Sequence, residues 1–171
     1  STQSCIIVPK PDSNKYYIFT TDYDGSPNGF EYSIVNMELQ GGDGQVETKN
    51  IKLINSPISE KVTACNHSDD GYWIITHTSG DSTYYSYRLS SSGLTGPITT
   101  SIGTTHSTAR GYMKTSPNGK KLISLLYDED IIDIFDFESS AGTLSNFLTI
   151  TGMTFDVGPY GLEFSSDSSK F

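Results

Sequence analysis

A chain of 171 residues is long enough to bury a substantial core. Ala occurs only three times, hydrophobic residues make up 35%, and Ser and Thr together fill 44 positions, which excludes collagen, coiled coils and helical bundles. No apolar run approaches the ~20 residues of a membrane helix, and a formal charge of −9 argues against nucleic acid as a partner.

Taken in chain order, the elements are short and β-like. Four runs rich in β-branched and aromatic residues open the chain, at Cys5–Pro9, Tyr16–Thr21, Phe30–Leu39 and Val46–Ile54. Four more follow at Lys61–Asn66, Tyr72–His77, Thr83–Leu89 and Ile98–Ile102, and another four at Gly111–Thr115, Lys121–Tyr127, Ile131–Phe137 and Ser145–Ile150. A thirteenth run, Gly161–Ser165, leads into a turn that ends at Phe171. Clusters of Gly, Pro, Asn, Asp and Ser separate the runs, and Asn118-Gly119 reads as a type I′ hairpin turn.

The runs repeat. Gly44, Gly93 and Gly142 each follow one strand and precede another, at intervals of 49 residues. Tyr16, Tyr72, Leu122 and Phe171 follow a polar turn at intervals of 56, 50 and 49. Four antiparallel strands every 40–50 residues is the signature of a propeller blade. The expected fold is therefore all-β: a partial β-propeller with WD/YVTN-like or quinoprotein-like repeats. Its blades fall at about 1–56, 57–104 and 105–154, with an incomplete fourth at 155–171. Closed propellers have 4–8 blades, so the chain reads as an internal piece of a larger propeller, and no leader opens it at Ser1.

In a blade of this kind, the loop between strands 2 and 3 and the loop joining one blade to the next share a face. That places Asp22, Asp24, His77, Asp81, His106, Arg110, Asp128, Glu129, Asp130 and Asp156 on or near one face as candidate ligand-binding residues. His77 and His106 close similar Thr-His runs but lack metal-ligand spacing. No cofactor is expected. Ca²⁺ is the one cation suggested, by the acidic run from Asp128 to Glu138 and by the Asp22-Tyr23-Asp24-Gly25 start of a calcium-like loop. However, Asp133 and Asp136 alternate to opposite faces of a strand, and the Asp22 loop lacks its closing Glu. Nucleophile-elbow, Walker and dinucleotide motifs are absent. Cys5 and Cys65 read as small buried residues. The tyrosines and Trp73 read as blade-to-blade packing, and a central channel lined only by first-strand residues such as Ile7, Ala64 and Met113 would favour a scaffold over an enzyme.

Specific residues also carry a resemblance. Ser1–Pro11 with Tyr16–Thr20, Tyr32–Met37 with Gly41–Gly44, Glu60–Ala64, Tyr72–His77, Gly103–His106, Ser116–Leu122, Phe135–Phe137 and Gly161–Ser165 together resemble the N-terminal propeller of large secreted Bacteroidetes proteins. Those proteins carry a type B sorting domain of type IX secretion and are often described as gliding-motility-associated. The resemblance implies an extracellular or cell-surface location and no catalytic residues to carry over. The expected function is a non-catalytic scaffold that contacts protein or glycan, linked to adhesion or gliding, and its partners would include the remaining blades of the parent chain. The alternative is a propeller enzyme, either a lactonase-like hydrolase or a quinoprotein-like dehydrogenase, with its site at the centre of the complete ring.

Overall fold

The computed structural model describes residues 3–23, 26, 28–55, 57–153 and 158–171. These form twelve strands in three four-stranded antiparallel sheets, with no α-helix among the described residues. The first sheet holds β1 (Cys5–Pro9), β2 (Lys15–Thr21), β3 (Phe30–Asn36) and β4 (Gln45–Ile54). The second holds β5 (Ile58–Asn66), β6 (Tyr72–Thr78), β7 (Thr83–Ser90) and β8 (Gly93–Ser101). The third holds β9 (Met113–Thr115), β10 (Lys121–Leu126), β11 (Ile131–Glu138) and β12 (Thr143–Ile150). Each sheet is a meander in chain order. The chain is a partial β-propeller of three blades.

Side chains alternate across each sheet, so each blade has two faces, and the core lies between blades. Val8, Tyr17, Phe19 and Phe30 of the first blade pack against Ile58, Val62, Ile74, Tyr87 and Leu89 of the second. The other face of the second blade supplies Trp73, Ile75 and Tyr84, which meet Met113, Leu122, Phe135, Phe137 and Leu144 of the third. Met113 is thus core rather than channel lining, and Ile7 points away from the inter-blade core and is 61% exposed. Cys65 is half-buried against the second interface, whereas Cys5 is exposed, contrary to its expected burial. The reason is register: Cys5 shares its face with Ile7, and no described element covers that face.

The innermost strands of the blades run side by side. Gln3 lies parallel to β5, giving its N–H to Glu60 O and accepting from Val62 N–H, and its side-chain oxygen takes the N–H of Met113. One residue therefore ties together all three blades.

The 49-residue period is visible at the level of atoms. Gly44, Gly93 and Gly142 all adopt positive φ (84°, 115° and 72°). Ser116 N–H bonds Lys121 O, and Ser116 Oγ accepts the Lys121 N–H and bonds Asn118. Forty-nine residues later, Ser165 N–H bonds Lys170 O, and Ser165 Oγ accepts the Lys170 N–H and bonds Asp167. The turn is not the expected type I′, because only Gly119 has positive φ (68°). Gly119 N–H bonds Ser116 O instead, which puts Pro117 at the first corner, where its fixed φ suits a type I turn. Gly161–Ser165 is not a strand. It is held by a Tyr112 N–H bond to Tyr160 O and by Leu162, which is buried against Ile123 and Leu125.

Candidate functional site

The loop joining the second and third blades runs from Ile102 to Tyr112. It is pinned on both sides. His106 gives its N–H to Asp81 O and accepts from Gly80 N–H, both in the β6–β7 loop, and Ala109 O accepts from Glu60 N–H. On the third blade, Asp133 accepts from Thr104 N–H (2.9 Å), Thr104 Oγ1 (3.1 Å) and Thr149 Oγ1 (3.1 Å). Glu129 Oε1 accepts from both the N–H and the hydroxyl of Ser107.

This loop closes a buried polar cluster between the two blades. The strand alternation that sends Cys65 toward the third blade sends Lys61 the same way. Its amine is fully buried, 2.7 Å from Leu125 O and 3.3 Å from His106 Nδ1. The His106 ring stacks on His77, with centroids 3.6 Å apart at 22°. Tyr84 meets His77 edge-on at 4.2 Å and packs on Phe135. Ser59 and Thr76 hydroxyls satisfy the carbonyls of His77 and Lys61.

Burial sets the electrostatics, since the interior disfavours each charged form. It draws the Lys61 amine down to about 7, against the opposing pull of Glu129, Asp133 and Asp128. It draws His77 down to about 3, helped by the Lys61 charge, and His106 well below the usual histidine range for the same reasons. Asp133 and Tyr84 are raised, again chiefly by burial. Neither ring nitrogen of His77 finds a hydrogen-bond partner, and neither does His106 Nε2. The cluster is therefore two neutral imidazoles beside one easily discharged amine, sealed from solvent.

Of the expected site residues, the structure takes both histidines off the surface. His77 and His106 come together, but inside the protein at 0% exposure rather than on the face. Arg110 pairs with Asp128 at 3.2 Å and lies 5.6 Å over the Tyr127 ring. Asp81 accepts from Thr83 N–H within its own loop, and Asp130 sits at φ 54° with Oδ1 buried and unpartnered. Asp22 takes the N–H groups of Tyr23 and Asn28 beside a groove of about 270 Å³ shared with Glu31 and Asn50. Asp24 and Asp156 lie outside the described residues. Asp133 is buried while Asp136 bonds Lys121 and Asn146 at the surface, as the alternation argument requires. Among the described residues, no three His, Cys, Asp or Glu side chains are grouped to hold a metal ion. No described helix is long and apolar enough to cross a membrane. Sequence reasoning missed Lys61. A lysine within a first strand, amid Val62, Thr63 and Ala64, was the available signal.

The comparisons speak to the fold alone. A crystal structure of a protein from Lactobacillus plantarum, determined in a structural genomics programme, matches with a TM-score of 0.59 at 11% identity. The match covers 98% of this chain and 60% of that protein. No protein-family model matches the chain, and a search of curated proteins also finds no match.

Proposed function

We propose that the chain is part of a non-catalytic propeller scaffold whose loops contact protein or glycan at the cell surface. One observation carries this reading. The two histidines expected on the ligand face are spent on joining blades: His77 and His106 stack on each other in the interior, and the Lys61 amine beside them is capped by Leu125 O. Among the described residues, the loops there present paired charge such as Arg110–Asp128, which suits contact. The resemblance to the propellers of type IX-secreted Bacteroidetes proteins supports an exported location and a role in adhesion or gliding. The enzyme alternative has one residue in its favour, the Lys61 amine with a near-neutral pKa. The test is a glycan array and a surface-protein pull-down with the 171-residue chain, run beside lactone and ester hydrolysis assays and metal analysis. Retention of a defined ligand without turnover is expected. Turnover that Lys61→Met abolishes would establish the enzyme instead.

A further inference from the structure

At the opposite end of the second interface, on the side of the β5–β6 turn, lies a groove of about 300 Å³. It is lined by Arg88, His67, Trp73, Ile98, Ser140 and Ala141. The register explains why they meet. Trp73 on β6 pairs with Arg88 on β7, and Arg88 with Thr95 on β8, so all three face the third blade, whose β11–β12 turn brings Ser140 and Ala141 across.

Three features of the groove point to a ligand. First, Arg88 Nε is buried with no hydrogen-bond partner, and the guanidinium makes none of the ion pairs seen among the described residues. The only other arginine, Arg110, has both a carboxylate and an aromatic ring. A buried N–H left without an acceptor is unfavourable. Second, no carboxylate lines the groove, although acidic residues outnumber basic ones by 20 to 11. The neighbouring acids are already hydrogen-bonded within their own turns. Glu138 turns onto the N–H and hydroxyl of Ser140, Asp69 accepts from Ser68, and Asp70 accepts from Gly71 N–H. Third, His67 Nδ1 accepts the Asp69 N–H, so the neutral ring carries its proton on Nε2 and is a second donor. The Trp73, Ile98 and Ala141 side chains give the groove apolar walls beside these donors.

We propose that this groove binds a carboxylated sugar residue, a uronic acid, with its carboxylate on Arg88 and His67 and its ring against the apolar wall. A guanidinium matches a carboxylate in two parallel hydrogen bonds. The groove holds one small ring, at the lower end of ligand-pocket sizes. The site is distinct from the loop face and stands whether or not the scaffold reading does.

Trp73 is the only tryptophan in the chain, so the groove carries its own reporter. The experiment titrates the 171-residue chain with glucuronate, galacturonate, glucose, acetate and N-acetylalanine, following Trp73 fluorescence and backbone amide shifts. Expected is a saturable change with one of the uronates, with amide shifts at Ile98 and Ala141 and weakening as salt rises. Arg88→Gln weakens binding at least about tenfold, and Arg88→Lys retains part of it. If Arg88→Gln fails to fold, the ligand series on the native chain decides. Glucose binding as well as the uronates overturns the carboxylate, and acetate binding as well overturns the sugar. Tighter binding of N-acetylalanine points to a peptide terminus and overturns the proposal, as does the absence of any saturable change.

Discussion

Lys61 has nowhere to send its charge except into the interface between the second and third blades, and this makes stability depend on pH in a calculable direction. Its folded pKa is about 7 and its ordinary value 10.5. Between the two, the unfolded chain binds a proton that the folded chain does not, so stability rises with pH across that window. Cys65 adds the opposite slope only above its ordinary value of 9.0, because burial raises its thiol. Urea midpoints measured from pH 7 to 8.5 therefore isolate the lysine. Stability is expected to rise by on the order of 1–2 kcal/mol across that range, and Lys61→Met is expected to remove the rise. The histidines act on the acid side. Their folded pKa values are depressed, so stability present above ~6.5 is lost as the unfolded rings take up protons below it. His77, with no partner for either nitrogen, is the clean probe. His77→Phe keeps the stack on His106 and is expected to raise stability at pH 5 by ~2 kcal/mol relative to its effect at pH 7.5.

At the scale of elements, the β11–β12 turn shows what a repeated glycine is for. Gly142 combines φ 72° with an approach so close that a Cβ would lie 2.5 Å from the Trp73 ring, while Trp73 Nε1–H donates to Ser139 O in the same turn. Gly142→Ala is expected to cost ~2–4 kcal/mol, adding left-handed strain to overpacking at the blade interface. Gly41→Ala, at φ 69° with nothing within 4 Å, carries the strain alone and should cost ~1 kcal/mol. Urea denaturation of the two variants separates the terms. The turn also shows what the sequence made legible. Gly44, Gly93 and Gly142 recur because the hairpin needs positive φ, which only local chemistry determines, so the period, the strands and the blade fold could be read directly. The His77–His106 stack could not. Those residues stand 29 apart on a strand and a loop, and nothing local says that their rings meet or that Lys61 lies beneath them. Blade-against-blade packing decides it, as it decides that Arg88 Nε is buried without a partner.

For the whole molecule, the faces that pack and the faces that do not are built alike. The inner face of the first blade buries Val8, Tyr17 and Phe19, yet its other face, set by the same register, presents Ile7 at 61%, Val46 at 48% and Tyr16 at 40% exposure. The outer face of the third blade buries Ile123 and Leu125 under Leu162 but leaves Leu148 and Ile150 exposed farther out. The equivalent surface of the second blade, which includes Ile74, is fully covered by the first blade. The first-blade flank is thus a blade-to-blade surface by composition, and apolar faces of that kind drive association when left open. The 171-residue chain is accordingly expected to self-associate as concentration rises, readable by analytical ultracentrifugation. The paired change Ile7→Lys with Val46→Lys should suppress it. Both side chains are exposed and outside the inter-blade cores, so the urea midpoint at low concentration should stay within ~0.5 kcal/mol of the native chain. Association unchanged by this pair would mean that the flank is not the adhesive surface and would shift attention to the edge strands β4 and β12, whose outward ladders are unpaired among the described residues.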